Sequence, residues 1–521
     1  MVGPINYDDL PMYWVGDWAG RRAAITPRRV ALYDPATESR YTYAQMDDRA
    51  RRVGTYLVDT LGLKKGDKIC FLARNRIEPI DLFLACGKTG IILAPLSFRL
   101  TKRELDELLE RIQPQALFYE DVFAELAESL ALPDSVRATM VLKDGDDSDW
   151  ARKVLAAEPR DVNVPLALND PYLYIHTGGT TATPKVCVVP HRQMLWNSLE
   201  LLVTSSGALG QSRELLTFPL FHIGGWNTVL PIYHAGGYTV LLRMFDPGTL
   251  LDLVEREQIT HFGAVEAMLH FIVKHPKFPT ARLESLAGIT TGGAPCAAPV
   301  MRPFWERGIP VTQSYGLTEA GPSNFVYGAI DHSLDEIWQH TTSIGTACFH
   351  SDYQIIDQNT GKPVPRGEIG VLCLRSPHNF DQYLGDPERT AKVFLEDGWV
   401  YSGDLAREDD QGYVYIVGRA DNMFISGGEN VSPEEIENVI GELPAVAEVA
   451  VIGAPDERWG QVPLAVLVLK PGKQINEQDL IDHCRKYLAS YKIPKRFIFA
   501  DALPLTGAGK IDRNALKAKY V

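Results

Sequence analysis

The stretch from Tyr174 to His191 sets the tightest limit on how this 521-residue chain can fold. It reads Tyr-Ile-His-Thr-Gly-Gly-Thr-Thr-Ala-Thr-Pro-Lys-Val-Cys-Val-Val-Pro-His. Pro171 to Ile175 and Cys187 to Val189 read as short buried strands. The segment between them is rich in Thr and Gly and carries one Lys. Glycines let backbone N–H groups turn toward an anion, hydroxyls donate hydrogen bonds, and Lys185 adds a point charge. This suits a polyphosphate cradle held between two strands; a polar surface turn is the plain alternative. It is not the common P-loop, which needs Gly-Lys-Ser/Thr opening a helix. Pro184 precedes the lysine and keeps a helix from running through.

Around this loop, strand and helix patterns alternate. Thr42 is placed to cap a helix from Tyr43 to Thr60, where Ala44, Met46, Ala50, Val53 and Leu57 recur at helical spacing. Lys68 to Leu72 reads as strand, Asp81 to Gly90 as helix and Ile91 to Leu96 as strand. Thr101 and Glu104 form a capping box for Lys102 to Ile112. Beyond the loop come a helix at 191–204, strands at 215–218 and 239–242, and a helix at 248–257. Such alternation argues for parallel sheets flanked by helices. After residue 340 the strands 354–356, 370–374 and 413–417 are joined by turns, as in a β-barrel-like unit. A short polar link at 418–422 leads to helix 433–440, strands 446–452 and 464–469, helix 477–488 and a loop tail. The expected class is α/β. A large N-terminal domain, 1–418, holds flanked mixed and parallel sheets plus the β-barrel-like subdomain, and a small α+β C-terminal lid domain spans 419–521.

A net charge of −14 argues against a nucleic-acid binder. From Cys484 onward, nine Lys/Arg stand against two Asp/Glu, which suits a segment facing polyphosphate. The seven cysteines are scattered without zinc or dithiol spacing, as in a reducing, cytoplasmic setting. The N-terminus has neither the basic start nor the apolar run of a signal peptide. Residues 215–242 carry no Asp, Glu, Lys or Arg and are long enough to span a bilayer. Pro219, Pro231 and two Gly-Gly pairs interrupt them, so they read instead as buried strands and loops beside a pocket.

Thr177, Gly178, Gly179, Thr180, Thr181, Pro184 and Lys185 match the phosphate loop of the adenylate-forming superfamily, the acyl-CoA synthetases and their relatives, which this chain resembles. Ala182 and Val186 depart from it, since both positions are normally Gly; a position that needs positive φ would strain either residue. Further blocks follow in the superfamily's order. Gly292-Gly293-Ala294-Pro295 resembles the Gly-rich segment under the nucleotide. Tyr315-Gly316-Leu317-Thr318-Glu319 resembles the block that offers Tyr315 to adenine and Glu319, helped by Thr318, to Mg²⁺. Tyr401-Ser402-Gly403-Asp404 resembles the ribose-binding block, with Gly418-Arg419-Ala420-Asp421 as the hinge after it; Arg419 is a nucleotide contact by the same likeness and Asp421 the pivot. Ser426 to Glu437 resembles the lining of a pantetheine tunnel, where Gly427 and Gly428 admit a thiol arm. Lys510, in Thr506-Gly507-Ala508-Gly509-Lys510, resembles the lysine that bridges acyl carboxylate and α-phosphate. His222, in Phe221-His222-Ile223-Gly224-Gly225, resembles the histidine where the acyl and thiol tunnels meet. Phe262 to Leu269, with Trp226, is expected to furnish pocket wall.

The resemblance implies a two-step ligase using ATP, Mg²⁺ and CoA. A hydrophobic carboxylic acid, fatty or aryl, becomes an acyl-adenylate and then a thioester. Transfer to an amine or a carrier protein stays open, as does a degenerate nucleotide- or acyl-binding protein with little catalysis. Small molecules are the expected partners, without nucleic acid or a membrane span; a homodimer is left open. A hydrolase is disfavoured, since neither Gly-x-Ser-x-Gly nor His-Glu-x-x-His occurs.

Overall fold

The computed structural model describes residues 5–177, 184–293, 296–328, 331–358, 360–420, 424–431, 433–504 and 511–521. Four sheets are present among them. A seven-stranded sheet has the order Gln382–Tyr383, Lys185–Pro190, Pro171–Thr177, Ile92–Pro95, Lys68–Leu72, Ala116–Glu120, Ala138–Leu142. Its strands from Pro171–Thr177 through Ala138–Leu142 are parallel, and their hydrophobic-on-both-faces sequences suit burial under helices. Helix Lys102–Ile112 shows how one cover forms. Thr101 accepts from the Glu104 N–H while the Glu104 carboxylate accepts from the Thr101 N–H, and Leu105, Leu108, Leu109 and Ile112 recur on the buried face.

The second sheet has nine strands. Its central run is Val311–Leu317, Gly288–Thr291, His261–Ala264, Arg213–Leu216, Tyr238–Leu241, all parallel. The 215–242 stretch differs from the expected strands and loops: Ile223–Ala235 is an α-helix. It is apolar nearly all round because it is wedged between sheets, with Trp226 fully buried and stacked on Phe83 at 4.4 Å. Among the described residues no helix is long and apolar enough to cross a membrane.

Asp352–Ile356, Gly370–Arg375, Val400–Glu408 and Val414–Arg419 form a four-stranded antiparallel sheet, tied to the large sheet's edge by the bridge Gly345↔Val414. The chain then changes sheet. Phe424–Ser426, Glu429–Val431, Gly460–Leu469, Val446–Asp456 and Arg496–Phe499 make a five-stranded sheet with its own core, packed by Pro433–Gly441 and Glu477–Tyr487. The tail is not loop throughout: Asp512 caps a helix, Arg513–Tyr520, by accepting from the Ala515 N–H at 2.9 Å. The architecture is thus a large domain of sheets and helices with a small α+β domain at the C-terminus.

Candidate active site

Strands Pro171–Thr177 and Lys185–Pro190 are antiparallel, with Thr177 opposite Lys185. The Gly/Thr segment is therefore the connection of a hairpin. Gly178, Gly179, Thr180, Thr181 and Ala182 lie outside the described residues, as do Ala294, Asp421, Lys510 and the Arg419 side chain. Val186 sits inside a strand, fully buried and paired with His176, and is not among the residues of positive φ. The strain anticipated there is absent, because the ladder holds it extended.

Thr177, Lys185, His222, Gly292, Gly293, Tyr315, Gly316, Thr318, Glu319, Asp404, Gly427 and Gly428 all line one cavity of about 2140 Å³. Strand ends deliver them. Gly288–Thr291 ends at Gly292, and Val311–Leu317 carries Tyr315 and Gly316 to the same rim. Thr318 and Glu319 form the tight turn into Gly321–Val326. The Tyr315 hydroxyl donates to Asp404 Oδ2 at 2.5 Å, joining the aromatic face to the buried carboxylate. In the backbone, Asp404 stands opposite Arg419. The Tyr383 hydroxyl donates to Glu319 Oε1 at 2.6 Å, and Lys185 Nζ lies 5.0 Å above the Tyr383 ring. Burial, then Glu319, raises the Tyr383 pKa, so the phenol stays a donor.

The other end of the cavity is closed by the small domain. The turn between Phe424–Ser426 and Glu429–Val431 places Gly428, at φ 84°, against Val265; a Cβ there would stand 3.2 Å from a Val265 methyl. Glu429 follows. Its Oε1 accepts from the Arg99 guanidinium and lies 3.1 Å from His222 Nε2. His176 sits beside this group and accepts from the Ser97 N–H at 3.1 Å. Burial, then His222, lowers the His176 pKa to about 3, so that ring stays neutral.

Sequence reasoning passed over Arg99, His176, Glu429 and Tyr383 as site residues. Glu429 and His176 lay in quoted stretches without being singled out; Arg99 and Tyr383 become visible only when distant strands meet. The expected pocket wall needs correction. Trp226 belongs to the core under the helix, and Phe262 points into the core on the sheet's far face. The rest of the expected stretch does contribute wall, through Gly263, Val265, Glu266, Ala267 and Met268, with Phe218 and Ile232 across from them. Strand alternation is the reason, since neighbours Phe262 and Gly263 face opposite ways.

The AMP-binding enzyme pattern matches residues 20–384, and that of the AMP-binding enzyme C-terminal domain matches residues 435–510. The chain belongs to the AMP-binding enzyme family. It is an adenylate-forming, AMP-releasing ligase of the acyl-CoA synthetase type. Feruloyl-CoA synthase of Amycolatopsis sp is 35% identical over 97% of this chain and 99% of its own. Indoleacetate–CoA ligase of Aromatoleum aromaticum is 33% identical over 96% and 97%. A double mutant of o-succinylbenzoate CoA synthetase from Bacillus subtilis, bound with its product analogue OSB-NCoA, is 28% identical over 96% of this chain and 98% of its own, with a TM-score of 0.84. The same synthetase in complex with its acyl-adenylate intermediate OSB-AMP has the same identity and coverage but a TM-score of 0.70. This AMP-binding enzyme is therefore more similar to the product-analogue complex than to the adenylate complex.

Proposed function

We propose that this AMP-binding enzyme activates a hydrophobic carboxylic acid, aryl in preference to fatty, as an acyl-adenylate and transfers the acyl group to CoA. The observation that carries this reading is the Gly427–Gly428–Glu429 turn, which seats the small domain against Val265, His222 and Arg99. The greater likeness to the product-analogue complex supports it, and the aryl acids in the names of two relatives guide the choice of substrate.

In this reading the domains divide near residue 418. Thr177, the loop 178–183 and Lys185 hold the triphosphate. Gly292, Gly293 and Ala294 form the floor under the purine, Tyr315 stacks on it beside Gly316, and Asp404 and Arg419 take the ribose. The oxygen donors Glu319 and Thr318 fit a hard cation. One carboxylate and one hydroxyl do not make a complete cage, which suits Mg²⁺, an ion usually held by one or two carboxylates together with substrate phosphates. When bound, Mg²⁺ would offset charge on the triphosphate. Lys185 and Lys510 add positive charge, and little covalent work falls to the protein. The small domain then turns near Asp421, withdrawing Lys510 and bringing in Gly428. The narrow backbone there admits the thiol arm, and His222, held by Glu429, faces the transfer point.

A pyrophosphate-release screen over aryl, fatty and short acids, with and without CoA, tests the reading. Aryl acids should release pyrophosphate, with AMP release dependent on CoA. Lys510→Ala should abolish adenylation and spare thioester formation from a supplied acyl-adenylate. Equal loss of both half-reactions would remove Lys510 from its role; AMP release that requires an amine in place of CoA would overturn the acceptor.

A further inference from the structure

The cavity does not stop at the strand ends. It runs beneath the large sheet to Ser212, Thr260 and Ala287, near the strands' beginnings. The face it follows is set by register. Glu214 pairs with His261, His261 with Gly288, and Gly263 with Thr290. Glu214, His261, Gly263, Gly288 and Thr290 therefore share one face, while Leu215, Phe262 and Ile289 share the other, which is apolar core. Buried parallel strands are ordinarily apolar on both faces. Here the cavity face carries a carboxylate, an imidazole and a hydroxyl.

These groups are wired together. His261 Nδ1 lies 2.9 and 3.0 Å from the two Glu214 oxygens, and His261 Nε2 lies 2.8 Å from Thr290 Oγ1. Glu214 is 4% exposed, whereas a third of the His261 side chain, 33%, opens onto the cavity. We propose that Glu214, His261 and Thr290 form a specificity site for an oxygen substituent at the end of the acid remote from its carboxylate. With both ring nitrogens protonated, Nδ1–H serves Glu214 and Nε2–H serves Thr290 Oγ1. The Thr290 hydroxyl proton is then left to donate to a ligand acceptor such as a phenolic, ether or carbonyl oxygen. Burial alone would lower the His261 pKa; the Glu214 charge and hydrogen bond outweigh it and raise it, which favours this protonation.

The site lies at the right depth. His261 precedes Val265, the contact of Gly428, by four residues along the strand, roughly 13 Å at the usual rise. That is the span of a flat aryl acid with a short chain and a distal substituent. Phe218 forms wall at this level: it lies across Gly263, where an added Cβ would come within 2.2 Å of its ring, and also packs on Gly224.

This inference rests on reading the cavity as the acid site. Its test therefore measures binding as well as turnover. Matched aryl acids with and without a distal oxygen would be titrated calorimetrically into the full-length protein and assayed for pyrophosphate release. The oxygenated acid should bind at least about tenfold more tightly, the scale of one well-made hydrogen bond to a charged network. Thr290→Val should bring that ratio to within about twofold, with ATP KM and affinity for the unsubstituted acid unchanged. Glu214→Gln, as a second variant, should reduce the ratio in the same sense. Equal wild-type affinity for the two acids, or a loss on Thr290→Val that falls equally on both, would overturn the proposal. Ratio-dependent binding without turnover would support this site while defeating the reading of these aryl acids as substrates; turnover without discrimination would do the reverse.

Discussion

Glu429 is reached from two directions, by Arg99 from the start of the seven-stranded sheet's helical cover and by His222 from the large sheet. Burial alone would raise its carboxyl pKa; His222 and Arg99 outweigh burial and hold it at about 2, against 4.5 unperturbed. A carboxyl held below its unfolded value adds stability that is fully present above that value and is lost as pH falls through the folded one. The contribution should thus fade from pH 4.5 toward about 2. Glu429→Gln keeps the shape but removes the charge. Thioester formation should fall roughly tenfold, a loss of about 1.4 kcal/mol, with ATP–pyrophosphate exchange intact. Its melting temperature should drop less steeply than the wild type's as pH is lowered below 4.5. A loss of pyrophosphate exchange equal to the loss of thioester formation would assign Glu429 to the first half-reaction instead.

At the scale of elements, the turn that presents Gly427 and Gly428 depends on left-handed backbone at both, φ 59° and 84°. Gly428→Ala adds strain of about 1–2 kcal/mol and sets a methyl 3.2 Å from Val265. The seated turn should be disfavoured about tenfold or more, seen as slower transfer from a supplied acyl-adenylate while adenylation proceeds. Elements with local signals were legible in sequence. The helix His191–Thr204 and the strand Lys68–Leu72 stand where periodicity puts them, and Thr42 and Thr101 cap their helices as their spacing implies. Ile223–Ala235 was hidden because the helix is mostly apolar, its uncovered side facing the cavity, and Pro231 with two early glycines argued against helix. The motif residues that meet in the cavity were legible because each block is contiguous. The pairing of His222 with Glu429, 207 residues apart, and that of Glu214 with His261, are tertiary facts that no local pattern encodes.

Across the whole molecule, the small domain is also fastened away from the cavity's centre. Lys492 Nζ lies 2.7 Å from Glu104 Oε1 of the large domain and 2.7 Å from Glu435 Oε1 of its own. All three side chains are buried. Removing one partner of a buried ionic group leaves charge uncompensated, at a cost of about 3–5 kcal/mol. Lys492→Met should therefore loosen the seated arrangement far more than it harms either domain. Thioester formation should collapse while ATP–pyrophosphate exchange continues, and scattering from the unliganded protein should report a larger radius of gyration. An unchanged radius with both half-reactions intact would show the lysine to be dispensable. Glu104 gives this contact a further meaning. Its Oε2 closes the first turn of Lys102–Ile112 through Thr101, and its Oε1 receives Lys492. One carboxylate thus serves the folding of a helix and the meeting of two domains. Over evolutionary time a substitution at Glu104 would be tested twice, once for each duty.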